Sequence, residues 1–93
     1  MSKFKSTSNK GFQMTFENGW TISVQFGFMN YCDNKNHPDG HQFAQKSDLV
    51  ESGDAEIAIW DSNGEWYNFN YDTVKGYCSA NEVAEWIFKV SNF

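Results

Sequence analysis

Cys32, His37 and His41 fall in one stretch, "NYCDNKNHPDGHQF" (residues 30–43), which also carries the only proline of the chain. A thiolate and two imidazoles are zinc-ligand types, and the spacing between the histidines lies in the range zinc sites use. Cys78 would complete a Cys2His2 set if the fold brought it beside this stretch. The two cysteines are far apart in sequence rather than a close pair, so the set Cys32, His37, His41 and Cys78 is held as the alternative. The preferred reading is a polar connector with no metal and no cofactor.

The same residue types admit thiol catalysis, because a cysteine near a histidine is the minimum for an activated sulfur nucleophile. No cysteine-protease signature surrounds either thiol. Cys78 stands just before an expected helix start, where exposure would lower its pKa. Asp33, Asp39, Asp48, Glu51, Asp54 and Glu56 spread through the connector and its exit. "DNKNHPDG" does not match a calcium loop, since Lys35 and His37 interrupt the ligand positions and no glutamate closes it. Neither a Walker motif nor G-x-G-x-x-G occurs. The expectation is a protein that is not an enzyme.

Composition narrows the partners. The chain has 93 residues, a net charge of −5, no arginine, and seven lysines scattered singly. Phosphate-backbone binding wants a basic stripe, so direct nucleic-acid binding is not expected, nor is an anionic membrane surface. No apolar run approaches the roughly 18 residues of a membrane span. An acidic surface suits a basic groove on another protein. The polar start "MSKFKSTSNK" lacks an apolar signal region, so an intracellular setting with reduced thiols is expected.

The elements that must position these residues read as one α+β domain over residues 11–93, behind a flexible leader at residues 1–10. In "GFQMTFENGWTISVQFG", Phe12, Met14 and Phe16, then Trp20, Ile22, Val24 and Phe26, alternate with polar residues on either side of a turn signal. A three-residue loop, Glu17-Asn18-Gly19, pairs Phe16 with Trp20, Met14 with Ile22 and Phe12 with Val24, so all six share one face. A two-residue loop would send the two apolar sets to opposite faces. Gly19 then takes the left-handed conformation, and Gln13, Thr15, Thr21, Ser23 and Gln25 face water.

The same logic on "DAEIAIWDSNGEWYNFNY" sets Ser62-Asn63-Gly64 as a loop. It faces Ile59 with Tyr67, Ile57 with Phe69, and Ala55 with Tyr71 in a second hairpin. "DTVKGY" reads as a turn-rich connector. Ser79 and Glu82 form a capping box, and Val83, Trp86, Ile87 and Val90 fall on one helical stripe, predicting a helix over 80–91. The fold class is two β-hairpins forming an antiparallel sheet, with the C-terminal helix packed on one face. The long segment between the hairpins, about 28–50, is of the length that is often functional; part of "HQFAQKSDLVES" suits a helical turn or an edge strand.

Nine Phe, four Trp and four Tyr are more rings than a thin core needs. The second register puts Trp60 and Trp66 together on the face away from the helix. Such a cross-strand pair stabilises a hairpin, and Trp and Tyr are also the types enriched at binding hot spots. The candidate binding residues are therefore Tyr31, Asp33, Asp39, Trp60 and Trp66, with Tyr31 reaching from the connector to join the tryptophans.

Together "GFQMTFENGWTISVQFG", "NYC", "DAEIAIWDSNGEW" and "GYCSANEVAEWI" resemble a group of small proteins of tailed bacteriophages, along nearly the whole chain from Gly11 to Phe93. No activity is established for that group, and no site residue carries across. The resemblance implies a phage accessory protein in the host bacterial cytoplasm, of a kind that interferes with host enzymes or antiviral defence. The leading expectation is a binding protein that blocks a host or defence protein with a basic surface. Sequestration of a nucleotide signal, a small structural zinc protein and a virion protein are the alternatives; association of copies through a sheet edge or face is a further expectation.

Overall fold

The structure, a computed structural model, describes residues 2–8, 10–40 and 50–93. Its class is α+β: one five-stranded antiparallel sheet in the order β1-β2-β3-β4-β5, followed by a C-terminal helix. The strands are β1 (Lys3–Thr7), β2 (Gly11–Thr15), β3 (Thr21–Gln25), β4 (Ala55–Trp60) and β5 (Lys75–Cys78), and the helix is α1 (Ala80–Ser91).

The β2–β3 register is Phe12↔Val24 and Met14↔Ile22, which keeps both apolar sets on the face that meets the helix. Phe16 N–H donates to Trp20 O and Gly19 N–H to Phe16 O, and Gly19 has φ +88, a conformation that glycine adopts without steric cost. β3 then pairs with β4 as Ile22↔Ile59 and Val24↔Ile57. These four residues, with Ala55, Cys78, Val83 and Val90, are the buried core.

The helix forms where its caps predict it. Ser79 accepts from Glu82 N–H, and the Glu82 side chain accepts from Ser79 N–H, satisfying orphan donors of the first turn. Val83 and Val90 are buried on the sheet, with Trp86 and Ile87 half-buried between them. At the other end, Trp20, Tyr67, Phe69, Trp86 and Phe93 interlock, with centroid separations of 4.9 to 5.7 Å. Lys89 Nζ lies 4.5 Å from the Trp86 ring centroid.

Three expectations change. Residues 3–7, expected in a flexible leader, form strand β1 against β2, from Lys3↔Thr15 to Thr7↔Gly11. Backbone pairing needs no apolar pattern of its own, so "KFKST" gave no signal. Second, the partner of β4 does not run on to Tyr71. Trp60 pairs with Trp66 and Tyr67 N–H donates to Ile59 O. The chain then turns out, with Phe69 N–H on Asp72 O and with Asn70 and Tyr71 in the left-handed region. Pairing resumes only at β5, so Ile57 meets Lys75 and Ala55 meets Cys78; "KGY", expected in a connector, is part of a strand.

Third, Thr21 and Ser23, expected to face water, are buried. Their hydroxyls bond along the sheet: Thr15 Oγ1 to Thr21 Oγ1 at 2.9 Å, and Gln25 Nε2 to Ser23 Oγ at 3.0 Å.

Candidate functional site

The connector after β3 is built by side chains that replace a missing ladder. Asn30 is buried; its Oδ1 accepts from Gly27 N–H at 2.9 Å and its Nδ2 donates to Glu56 Oε1 at 3.3 Å. The other carboxylate oxygen of Glu56 accepts from Tyr31 N–H at 3.2 Å. Asn34, also buried, donates to Phe26 O and to Glu51 O. Asp33 and Asp54 are laced reciprocally: Asp33 N–H donates to Asp54 Oδ1 at 2.7 Å, and Gly53 N–H donates to Asp33 Oδ2 at 3.1 Å. One oxygen of Asp33, expected to reach a partner, is thus engaged in tying the connector to the approach of β4.

This clamp sets Tyr31 against the edge strand. Tyr77 N–H donates to Tyr31 O at 2.9 Å. A side chain at Gly76 would put its Cβ 2.6 Å from Tyr31 Cβ, so only glycine allows this approach. The register shifts between Ala55 and Ile57, so Gly76 and Tyr77 together oppose Glu56. Tyr77 has φ 56, a conformation that is rare for an aromatic residue and concentrates at functional positions. A bulge at a sheet edge re-aims side chains, and here Tyr77 is 56% exposed while Tyr31 is 45% exposed. Lys35 Nζ stands 5.6 Å from the Tyr31 ring centroid.

The tryptophans lie at the other end of β4. Trp60 and Trp66 rings are 5.2 Å apart and tilted by 33°, and Trp66 is 50% exposed. Trp60 also walls a recess of about 390 Å³ with Lys3, Thr15, Thr21 and Ser62. Glu56, which holds Tyr31, is four residues from Trp60 along the strand, about 13 Å at 3.3 Å per residue. Tyr31 therefore does not join the tryptophans; it marks a separate aromatic position. Asp39 belongs to neither: its N–H donates to His37 Nδ1 at 3.1 Å, and its carboxylate lies 3.9 Å from the same nitrogen.

Both cysteines are free and buried. Cys32 Sγ–H points to Gly27 O and Cys78 Sγ–H to Lys75 O, each at 3.6 Å. Burial pushes both thiols above their ordinary pKa, so the lowered value that exposure would give Cys78 at the helix start does not arise. Among the described residues, no three of His, Cys, Asp and Glu are grouped to hold a metal; His41 lies outside them, as does the "HQFAQKSDL" part of the expected helical turn or edge strand. No described helix is long and apolar enough to cross a membrane.

A groove of about 730 Å³ opens between the first turn of α1 and the Glu51–Ala55 approach to β4. Sequence reasoning did not find this groove, nor the roles of Asn30, Glu56, Gly76 and Tyr77. One signal was present: Glu56 is the single charged residue inside "AEIAIW", and a carboxylate in a central strand asks for donors. No protein-family model, curated protein or solved structure matches the chain.

Proposed function

We propose that this chain is a non-enzymatic binding protein that engages another protein through exposed aromatic side chains set among carboxylates. Trp66, supported by Trp60, and Tyr31, joined by Tyr77, are the anchors; the partner is a host or antiviral-defence protein with a basic surface, met in the bacterial cytoplasm by a phage accessory protein. The observation that carries this reading is Trp66, half-exposed on the face the helix leaves uncovered. Pairing with Trp60 accounts for roughly 0.2–1 kcal/mol of hairpin stability but does not require an indole left in water. Rigid aromatic rings are the side chains that most often dominate binding energy. The net charge of −5 favours a basic partner and speeds encounter with it.

The test is affinity capture from bacterial lysates, including strains that carry defence systems, with the wild-type chain, Trp66→Ala, Tyr31→Ala and a helix-surface control, Phe88→Ala. Phe88 is exposed on α1. The expected result is one stoichiometric partner that Phe88→Ala keeps and the other two lose. Absence of any partner, or a partner indifferent to Trp66 and Tyr31, refutes the proposal.

A second reading, sequestration of a nucleotide signal, is supported by the recess at Trp60, where an indole wall stands with Lys3 and two threonines. A base would stack on the ring and a phosphate would meet the lysine. Thermal shift against a nucleotide panel tests it, since ligand at 100 times its Kd adds about 2.7 kcal/mol.

A further inference from the structure

Asn-Gly occurs twice in the chain, at Asn18-Gly19 and at Asn63-Gly64. In backbone the two turns are alike. Gly19 has φ +88 and Gly64 has φ +80, and their N–H groups donate to Phe16 O at 2.9 Å and to Asp61 O at 3.0 Å. Both asparagines are exposed, so access to water does not separate them. Their side chains do. The Asn18 amide is tied at both ends: Nδ2 donates to Val90 O at 2.8 Å and to Phe93 O at 3.4 Å, and Oδ1 accepts from Trp20 N–H at 3.0 Å. Among the described residues the Asn63 side-chain amide makes no hydrogen bond; only its backbone N–H is engaged, with Asp61 Oδ1. The surroundings differ in the same sense. A Cβ at Gly19 would lie 3.2 Å from Ser62 Cβ, whereas one at Gly64 would meet nothing within 4 Å.

We propose that Asn63 is a site of spontaneous deamidation and isomerisation, that Asn18 is spared, and that the change at Asn63 loosens the Trp60–Trp66 pair. The Gly64 amide gives its proton to solvent base, and its nitrogen attacks Asn63 Cγ. A bond from that nitrogen to Cγ forms, the bond from Cγ to the side-chain nitrogen breaks, and ammonia leaves. Water then opens the cyclic imide. Opening at Cγ yields aspartate; opening at the former backbone carbonyl yields isoaspartate, in which the main chain runs through Cβ and Cγ and is one atom longer. The sum consumes one water and releases one ammonia. A glycine after the asparagine has no Cβ to obstruct the attack, so both turns have the required neighbour, and the freedom of the side chain decides between them. The longer chain falls in the loop that sets the tryptophans together. There Asp61 N–H donates to Glu65 O at 2.9 Å, Asp61 Oδ1 accepts from Asn63 N–H and Glu65 N–H at 2.9 and 3.0 Å, and Trp60 bridges to Trp66. The site itself does not depend on the protein-partner reading; only a consequence for binding through Trp66 would.

The experiment ages the full chain in mildly alkaline buffer, native and in guanidinium chloride, and follows both turns by peptide mass spectrometry with fragmentation that distinguishes isoaspartate. In the native protein Asn63 should convert about tenfold or more faster than Asn18, the factor expected when two side-chain hydrogen bonds must open before reaction. In denaturant the two should convert at comparable rates, which assigns the selectivity to the fold and not to the flanking residues. The far-ultraviolet exciton signal of the Trp60–Trp66 rings, 5.2 Å apart, should fall as isoaspartate accumulates. Asn63→Gln, whose side chain would have to close a less favourable six-membered ring, should keep that signal through the same incubation. Native Asn18 converting as fast as Asn63, or a native Asn63 that stays intact while the unfolded chain reacts, overturns the proposal. So does an exciton signal that is unchanged in isoaspartate-rich protein or that falls equally in Asn63→Gln.

Discussion

Asn18, in the turn between β2 and β3, fastens the far end of the chain, and replacing it should destabilise the fold in a pH-dependent way. Its Nδ2 donates to Val90 O at 2.8 Å and more weakly to Phe93 O at 3.4 Å, while its Oδ1 accepts from Trp20 N–H at 3.0 Å. Asn18→Ala removes all three. At about 0.5–1.5 kcal/mol per net bond, and with the 3.4 Å contact counted as minor, the loss is about 1–3 kcal/mol. That corresponds to about 4–8 °C per kcal/mol in a domain of this size.

Asn18→Asp separates the parts. It keeps the acceptor for Trp20 but presents a carboxylate to the carbonyl end of α1, where the helix dipole adds an unfavourable 0.3–1 kcal/mol, roughly. The introduced carboxyl should therefore have a folded pKa raised above the ordinary value of about 3.9. A raised folded pKa contributes stability that is fully present below the unfolded pKa and lost as pH rises through the folded one. Urea unfolding of wild type, Asn18→Ala and Asn18→Asp, followed by circular dichroism at about pH 3 and about pH 7, measures both effects. The aspartate variant should gain on the alanine variant as pH falls, because a protonated carboxyl can donate to Val90 O. A difference between the two that does not move with pH, or an alanine cost below about 0.5 kcal/mol, would refute the clamp.

Gly76→Ala should cost roughly 1–3 kcal/mol from overpacking against Tyr31, and more if the Tyr77–Tyr31 hydrogen bond parts; urea unfolding reads it, and a near-neutral result would contradict the close approach. Cys32 and Cys78, buried and with raised pKa, should resist a thiol-reactive disulfide reagent in the native protein at neutral pH and react on unfolding; rapid native labelling of either would contradict their placement. Ser79→Ala should cost about 1 kcal/mol as the loss of a helix N-cap. The Ser79 backbone N–H holds the Glu82 carboxyl below its ordinary value, so the stability it adds is present above the unfolded pKa and lost as pH falls through the lower folded one. The gap between wild type and Glu82→Gln should accordingly shrink in acid, and a constant gap would count against the capping role.

Local chemistry was legible where one short stretch contains the whole cause. "SANE" holds both halves of the capping box, and the helix runs from Ala80 to Ser91 as its caps and stripe predict. The alternation in "FQMTFENGWTISV" likewise excludes the register that would send its two apolar sets to opposite faces. Strands β1 and β5 were not legible because their stabilising groups lie elsewhere. β1 has one large apolar residue, Phe4, and that is exposed; its pairing comes from β2. At "WYNFNY" the alternation misled about the ladder. Tyr67 and Phe69 do face the helix, meeting Trp86 at 5.7 and 5.0 Å. The Asn68 side chain, however, accepts from Tyr71 N–H at 2.6 Å, a local turn that competes with strand pairing and leads the chain out before residue 71.

The candidate site was legible as a set of residue types and not as an arrangement. The period-2 pattern set Trp60 and Trp66 side by side, as their rings are, while Tyr31 was named from the connector by its residue type alone; the roles of Glu56 and Tyr77 were not legible, because they exist only after β4 and β5 are paired. That pairing also bears on how any partner is met. β5 ends the sheet, and an open edge offers its N–H and C=O groups for strand addition. Here the connector takes one of those groups, Tyr77 N–H on Tyr31 O, and the bulge interrupts the regular spacing that an added strand would need. At the opposite edge β1 carries Lys3 and Lys5, both exposed, and lysines discourage edge pairing. With strand addition disfavoured at both edges, the proposed partner would have to be met through side chains, and the half-exposed rings of Trp66, Tyr31 and Tyr77 are rigid ones of the kind it would use.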